Sequence, residues 1–228
     1  MSAKEDAVFL QAVYERLSSH YDLDRWHWRP ETPALDICLG AVLVQHTAWT
    51  NVERALANLR DAHCLALEAL AALPESELAL LLRPAGTPLT KARRVRALVE
   101  LVGSHGGFEG LFALPLPALR EALLATHGVG PETADVILLY AARRPVIVHD
   151  AYTTRLLRRL GTGPEGERYD TWRGWLHSRL PDALEARQRF HAGIVVHCKE
   201  TCRAKPRCGA CPLVELCAFA AASMPVRA

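Results

Sequence analysis

The sequence has little that would suit a membrane protein, a secreted scaffold or a β-sheet protein. No apolar run approaches the roughly 20 residues that a membrane helix needs. The amphipathic, acid-bearing N-terminus MSAKEDAVFLQAVYERL does not resemble a signal peptide. No alternation of apolar and polar residues is long enough to build a sheet. We therefore expect an all-α, cytoplasmic protein with no membrane contact.

Lysine is also scarce, because 23 of the 27 basic residues are arginines, and the net charge is only +2. The basic residues are concentrated in two places. Five positive residues and no acid occur from Arg83 to Arg96, and five positive residues with one acid occur from Arg143 to Arg159. Phosphate binding requires local stripes of this kind. A solvated helix face would have the same pattern, so charge alone leaves both interpretations open.

Apolar residues that recur at spacings of three and four predict helices along most of the chain. Glycine and proline mark the ends of these segments. Residues 30–144 are expected to form one helical domain with short loops. Residues 1–29 and 145–228 are expected to form a second, more basic one, with a cleft between the two. The predicted helices are Ala7–Leu17, Leu35–Leu59, Leu65–Leu82, Ala92–Val102, Leu116–Thr126, Pro131–Ala142, Ala151–Leu160, Tyr169–Leu180 and Ala183–His197.

Cysteine is concentrated near the C-terminus, where five of the seven cysteines lie between Cys198 and Cys217. Crowded cysteines in a cytoplasmic protein more often bind metal than form disulfides. Four thiolates can hold a zinc ion or a cubane iron–sulfur cluster, and spacing alone leaves both open. The ligand candidates are Cys202, Cys208, Cys211 and Cys217, and the remaining Cys38, Cys64 and Cys198 are expected to be buried core residues.

A short glycine loop, Gly128-Val129-Gly130, joins two predicted helices and is followed by Pro131, which suits a first helical turn. Glycine permits positive φ and close backbone approach, so we expect a tight hairpin at Gly128 and Gly130. Amides at such a helix start can bind an anion such as a DNA phosphate. A simple turn between two helices is the alternative interpretation.

Asp150 lies two residues after the short apolar segment Val146–Val148 and immediately before the helix predicted to begin at Ala151. Aspartate is a preferred helix N-cap, because its carboxylate accepts hydrogen bonds from backbone amides that lack partners. A capping aspartate that faces a cleft could also act electrostatically on a substrate, and the two roles are compatible.

The order of these motifs resembles endonuclease III-type DNA glycosylases of the helix-hairpin-helix superfamily. The hairpin GVGxxTA, the aspartate after a short apolar run and the loop KPRCGACPLVELC carry the resemblance, which extends from Leu35 to Cys217. It implies a six-helix barrel with the hairpin, an iron–sulfur cluster domain and a DNA-binding cleft between them. It also implies that the four cysteines hold a [4Fe–4S] cluster, although the first cysteine gap is one residue shorter than in well-known members.

Within that superfamily the sequence most resembles the 3-methyladenine DNA glycosylase III branch, through residues 26–33, 40–53 and 130–138. Strand-cleaving members carry a lysine two residues after the second hairpin glycine, where this chain has Glu132. A Schiff base needs an amine, so the resemblance implies a monofunctional glycosylase. Thr87 and Pro88 stand where the family usually has aromatics, and both alkylated purine and oxidised pyrimidine substrates remain open, with the alkylated base favoured.

The resemblance also assigns roles to individual residues. Asp150 would stabilise the positive charge that develops as the glycosidic bond breaks. Glu132 would hydrogen-bond the flipped base, or would only complement the helix dipole. The hairpin residues Gly128, Val129 and Gly130 would hold the DNA backbone. The remaining candidates are Gln45 to fill the gap left by the flipped base, Trp26, Trp28, Trp49 and His149 for the base pocket or wedge, and Arg203, Lys205 and Arg207 for phosphates.

The expected partner is double-stranded DNA containing a damaged base, bound by a monomer associated with the nucleoid. Packing alone could equally explain the tryptophans and His149, and a solvated rim could explain the three basic residues of the cysteine loop. A second hypothesis is a lesion-recognition protein on the endonuclease III scaffold that has lost catalysis. An electron-transfer protein that uses the cluster is a third, with no other support in the sequence.

Overall fold

A computed structural model of the protein describes residues 2–223. The helices are α1 (Ala3–His20), α2 (Ala34–Leu43), α3 (Trp49–Asp61), α4 (Leu67–Ala72), α5 (Glu75–Leu81), α6 (Pro88–Ser104), α7 (Phe108–Ala113), α8 (Leu116–Ala125), α9 (Pro131–Val136), α10 (Ala151–Leu160), α11 (Tyr169–His177), α12 (Leu184–Glu200) and α13 (Ala218–Ser223). Short 3₁₀ turns and a π-helical turn complete the elements. Over the described range there is no β-strand, which confirms the all-α prediction.

The chain divides into two compact units. One is Pro30–Arg144, which we call the hairpin unit. The other unit contains two segments, the chain up to Arg29 and the chain from Pro145 onward, and we call it the cysteine unit. Met1 and residues 224–228, which the sequence assigns to the second domain, lie outside the described residues. No helix in residues 2–223 is both long enough and apolar enough to cross a membrane.

The hairpin unit contains more breaks than the apolar periodicity predicts. The prediction of one continuous helix over Leu35–Leu59 is wrong, because α2 ends at Leu43 and α3 begins only at Trp49. His46 between them has a φ of +56°, which a continuous helix cannot accommodate. The segment Leu65–Leu82 divides into α4 and α5 at Pro74, which lacks an amide hydrogen.

The second helix of the hairpin is held by a buried ion pair. Asp135 on α9 is fully buried, and its two carboxylate oxygens accept hydrogen bonds from Arg120 on α8 at 2.9 and 3.3 Å. α9 then continues as a π-helical turn over Ile137–Ala141, which packs against α2. These contacts hold the hairpin between α8 and α9 against the interior of its own unit.

The cysteine unit is built around α1, α10 and α12. Ser2 and Glu5 form a capping box that begins α1, and Asp6 in its first turn is buried against Arg179 at 2.9 Å. α1 and α10 both pack against α12. Their buried apolar side chains form one core, which includes Leu10, Leu17, Leu156, Leu157, Trp172, Leu176, Phe190 and Ile194, together with Cys198 and Cys202.

Candidate active site and cysteine cavity

Asp150 is the N-cap of α10, as the sequence predicts for an aspartate before a helix. Its Oδ1 accepts two hydrogen bonds from Thr153, one from the backbone N–H and one from the hydroxyl, both at 2.7 Å. The Asp150 side chain is only 8% exposed, and Thr153 is buried. The carboxylate is therefore held in one orientation by the first turn of the helix that it caps.

The second oxygen of Asp150 faces a buried histidine. Oδ2 lies 3.9 Å from Nε2 of His191, which α12 contributes and which is 5% exposed. The indole of Trp26 lies edge-on to the His191 ring, with centroids 6.0 Å apart, and stacks at a tilt on His27 at 3.9 Å. Burial lowers the pKa of His27 to about 3 and also lowers the pKa of His191.

His149, the residue before Asp150, packs among other side chains of the cysteine unit. Its Nε2 lies 2.7 Å from the Thr154 hydroxyl, and its ring stacks on Trp172 with centroids 5.0 Å apart. Tyr169 contacts the same ring edge-on. Burial lowers the pKa of His149, which favours the neutral ring at physiological pH. The structure thus places His149 in the core of the cysteine unit.

The glycine loop of the hairpin unit is tight, but only one of its glycines needs its conformational freedom. Gly128 has a φ of +82°, and a Cβ there would lie 2.2 Å from Cγ of Arg94. Gly130 has a φ of −89° with space around it, so the expectation of positive φ at Gly130 is wrong. Val129 has a buried side chain, and its amide donates to Thr126 within the turn.

Gln45 lies in the segment between α2 and α3 and braces this hairpin. Its Nε2 donates hydrogen bonds to the carbonyl of Gly128 and to the hydroxyl of Thr133, both at 3.1 Å. Its Oε1 accepts a hydrogen bond from Arg94. The structure therefore brings Gln45 and Arg94 together at the hairpin.

The remaining candidate residues, Glu132 and the three tryptophans, differ in how far they are exposed and in which unit they lie. Glu132 is exposed in the first turn of α9. Trp49 is partly exposed at the start of α3 and donates from Nε1 to Glu53 at 3.0 Å. Trp28 is buried, and its ring lies edge-on to Trp26 at 5.8 Å. Trp26 and Trp28 thus belong to the aromatic group beside His191, whereas Trp49 belongs to the hairpin unit.

The four candidate metal ligands line one cavity in the cysteine unit. Cys202, Cys208, Cys211 and Cys217 line this partly open cavity together with Arg159, His197 and apolar side chains. All seven cysteines are free thiols. A cubane cluster needs one thiolate for each iron, so four thiols around a shared space suit it. In residues 2–223 no three His, Cys, Asp or Glu side chains form a group that could hold a single metal ion.

The surroundings of the cavity lower the pKa of one cysteine thiol and raise the pKa of another. A hydrogen bond from Cys198, with further ones from His197 and Arg159, lowers the pKa of Cys202 to about 4. Burial instead raises the pKa of Cys211, whose Sγ lies 3.8 Å from His197 Nε2. Cys38 and Cys198 are buried, as predicted, but the prediction for Cys64 is wrong, because its side chain is partly exposed.

The basic residues of the cysteine loop, Arg203, Lys205 and Arg207, are exposed. Two arginines of α10 hold the loop backbone beneath them. Arg155 donates to the carbonyls of Cys198 and Cys202, and Arg159 donates to those of Cys202, Arg203 and Ala204. The basic loop is therefore supported by the helix that Asp150 caps.

Sequence reasoning did not single out Thr153, His191 or Arg94. The spacing Asp150-x-x-Thr153 is a usable signal, since an N-cap side chain bonds the third helical residue. His191 lies in an ordinary apolar helical pattern, and only the packing of α12 against α10 brings it to Asp150. Arg94 is one of several arginines on α6, and nothing local distinguishes it.

Comparisons with known proteins agree with this arrangement of motifs. The profile of the HhH-GPD superfamily base excision DNA repair protein matches residues 39–175. A protein of Methanocaldococcus jannaschii named as a DNA repair glycosylase is 39% identical over 208 residues, which cover 90% of this chain and 94% of that protein. Endonuclease III of Treponema pallidum is 30% identical over 216 residues, with 93% and 96% of the two chains covered.

A solved structure is similar as well. The crystal structure of H. pylori 3-methyladenine DNA glycosylase bound to 1,N6-ethenoadenine has a TM-score of 0.70 and 28% sequence identity to this chain. The match covers 88% of this chain and 98% of that one. The resemblance to helix-hairpin-helix DNA glycosylases is thereby confirmed. The chain belongs to the HhH-GPD superfamily of base excision DNA repair proteins, and two of the relatives named here bear the name DNA glycosylase.

Proposed function

We propose that this protein is a monofunctional DNA glycosylase that releases one damaged base from duplex DNA, with Asp150 as its catalytic carboxylate. The observation that carries the proposal is the fixed, nearly buried Asp150 at the start of α10, with one oxygen held by Thr153 and the other directed at His191. A buried carboxylate in one orientation is suited to stabilise positive charge that appears only in the transition state.

Asp150 acts on the sugar. As the bond between C1′ and the base breaks, positive charge develops on the sugar, and the carboxylate stabilises it. A well-placed electrostatic group contributes about 3–4 kcal/mol in comparable sites. Chemistry on a base in a duplex requires that the nucleotide leave the stack, so the base is flipped before Asp150 acts.

The hairpin at Gly128–Gly130 holds the DNA backbone near the lesion. Gln45 and Arg94 support this role, because Gln45 donates a hydrogen bond to the Gly128 carbonyl and Arg94 donates one to Gln45. Gln45 fills the gap left by the flipped base only after it releases these contacts. Arg203, Lys205 and Arg207 bind phosphates from the exposed cysteine loop.

Cys202, Cys208, Cys211 and Cys217 would hold a [4Fe–4S] cluster, which supplies a rigid cross-link for the basic loop. The cavity that all four thiols line and the relationship to endonuclease III support this assignment. Purified protein is expected to contain about four irons per chain and to absorb in the visible blue. One zinc ion per chain with no iron would contradict it.

The damaged base is an alkylated purine. Trp26 supports this choice, because its ring lies beside His191, which faces Asp150. Aromatic faces attract the positive charge of an alkylated base. The H. pylori relative bound to 1,N6-ethenoadenine is consistent with this substrate class. Glu132 in the first turn of α9 hydrogen-bonds the base or the sugar next to it.

A base-release assay tests the function. Duplexes that each carry one alkylated or oxidised base are incubated with excess protein, and release is measured in a single turnover. We expect release of an alkylated base and an intact abasic strand. Tight binding to a lesion duplex without release of any base would favour the second hypothesis, a lesion-recognition protein without catalysis.

A further inference from the structure

The two oxygens of Asp150 have different surroundings, and only one of them is used by the helix cap. Oδ1 accepts both hydrogen bonds from Thr153. Oδ2 lies on the His191 side, 3.9 Å from Nε2. That separation is too long for a direct hydrogen bond, but it suits two acceptors that share one bound molecule.

The distance between these two atoms allows one water molecule to bridge them. Its oxygen can lie about 2.8 Å from both Asp150 Oδ2 and His191 Nε2, and its two protons can be donated one to each. Hydrolysis of an N-glycosidic bond needs such a water, and an imidazole beside the carboxylate provides a second group that can accept its proton. The helix α12 places an imidazole where the second acceptor is required.

We propose that His191 is a catalytic residue that binds the hydrolytic water together with Asp150 Oδ2 and accepts its proton. This inference rests on the proposed glycosylase function and adds a proton acceptor to it. The base departs with the electron pair of the bond to C1′. The water oxygen then forms a bond to C1′, and its proton moves to His191 Nε2. The imidazolium passes that proton to the departed base when the base leaves as an anion, as 1,N6-ethenoadenine does, or to solvent when a cationic alkylated base leaves as a neutral molecule.

The charges around His191 suit a proton acceptor. Burial lowers the pKa of His191 from its ordinary value of 6.5, the Asp150 carboxylate opposes that shift, and Lys199 on the same helix lowers the pKa further. His27 is the other titratable group nearby, and its own pKa of about 3 keeps it neutral at physiological pH. His191 is therefore neutral when the reaction begins, and its imidazolium is stabilised by Asp150 as it forms.

The test uses the full-length protein and a duplex with one 1,N6-ethenoadenine, or the duplex from the panel that releases its base fastest. His191→Asn is expected to slow single-turnover release about 10²-fold, because general-base catalysis contributes about 10²–10⁴-fold. Affinity for the duplex should stay within twofold of wild type. His177→Asn, at an exposed position on α11 in the same unit, is the matched control and should release base at the wild-type rate.

The pH profile separates catalysis from packing. Because the pKa of His191 is lowered, wild-type release should fall only at a pH below the ordinary histidine value of 6.5, where protonated His191 cannot accept the proton. The His191→Asn profile should lose that part of the acidic limb. Imidazole added to His191→Ala should restore release in proportion to its unprotonated fraction. If His191→Asn matches wild type within threefold, or if both have the same acidic limb, the inference is overturned while the glycosylase stands. A wild-type protein that releases no base from any duplex would instead overturn the proposed function.

Discussion

Arg159 donates a hydrogen bond from Nη1 to Sγ of Cys202 at 3.2 Å, and the same guanidinium binds the carbonyls of Cys202, Arg203 and Ala204. Arg159 lies on α10, the helix that begins at Asp150. The helix that presents the proposed catalytic carboxylate at one end therefore supports the cysteine loop near its other end.

Loss of the Arg159 guanidinium should weaken the cysteine loop. Arg159→Met keeps most of the aliphatic bulk but removes every donor, and we expect a loss of about 2 kcal/mol, the range for hydrogen bonds from a charged group. For a chain of this length, that loss lowers the thermal midpoint by about 2–4 °C per kcal/mol. Iron content should fall as well. Arg168→Met, at an exposed position in the same unit, is the control, and equal iron content and midpoint in both variants would refute the role of Arg159.

The hairpin should be sensitive at Gly128 and tolerant at Gly130. Gly128→Ala forces an alanine to a φ of +82° and a Cβ to 2.2 Å from Arg94 Cγ, so we expect a loss of more than about 1 kcal/mol in the free energy of unfolding. Affinity for lesion duplex should fall with it. Gly130→Ala has an ordinary φ and open space, and should change stability by less than about 0.5 kcal/mol. Equal effects at the two positions would contradict the hairpin geometry.

The hydroxyl of Thr153 should matter for rate more than for folding. Thr153→Val removes the hydroxyl bond to Asp150 Oδ1 but keeps the backbone one, so the cap survives and the carboxylate becomes freer to rotate. Because the carboxylate is then less firmly oriented toward the sugar, release should slow by roughly tenfold or more. Thr153→Ser keeps the hydroxyl and should retain most of the activity. A Thr153→Val variant as fast as wild type would show that Thr153 does not position Asp150.

Strand cleavage through a Schiff base should be absent. Borohydride treatment of protein mixed with lesion duplex is expected to give no covalent protein–DNA adduct, because Glu132 cannot form an imine. Lys199 is the lysine to examine if an adduct does form, since burial lowers its pKa and Asp150 acts on it electrostatically. An adduct that disappears in Lys199→Arg would contradict the monofunctional assignment and would identify an amine outside the hairpin.

Local sequence signals predicted much of this site and missed the parts that packing decides. The N-cap role of Asp150 follows from residue type and position, and the positive φ at Gly128 follows from glycine chemistry. Residues 44–48 contain no glycine or proline, so the apolar periodicity predicts a continuous helix where the structure has a break. His191 could not be identified either, because its approach to Asp150 depends on how α12 packs against α10.

The catalytic role of Asp150 is tested most directly by Asp150→Asn. Asparagine caps a helix as well as aspartate does, so α10 and the fold should survive while the negative charge is lost. We predict that the variant binds a lesion duplex as tightly as wild type and releases the base at least about 10²-fold more slowly in a single turnover. Release at the wild-type rate by Asp150→Asn would contradict the account.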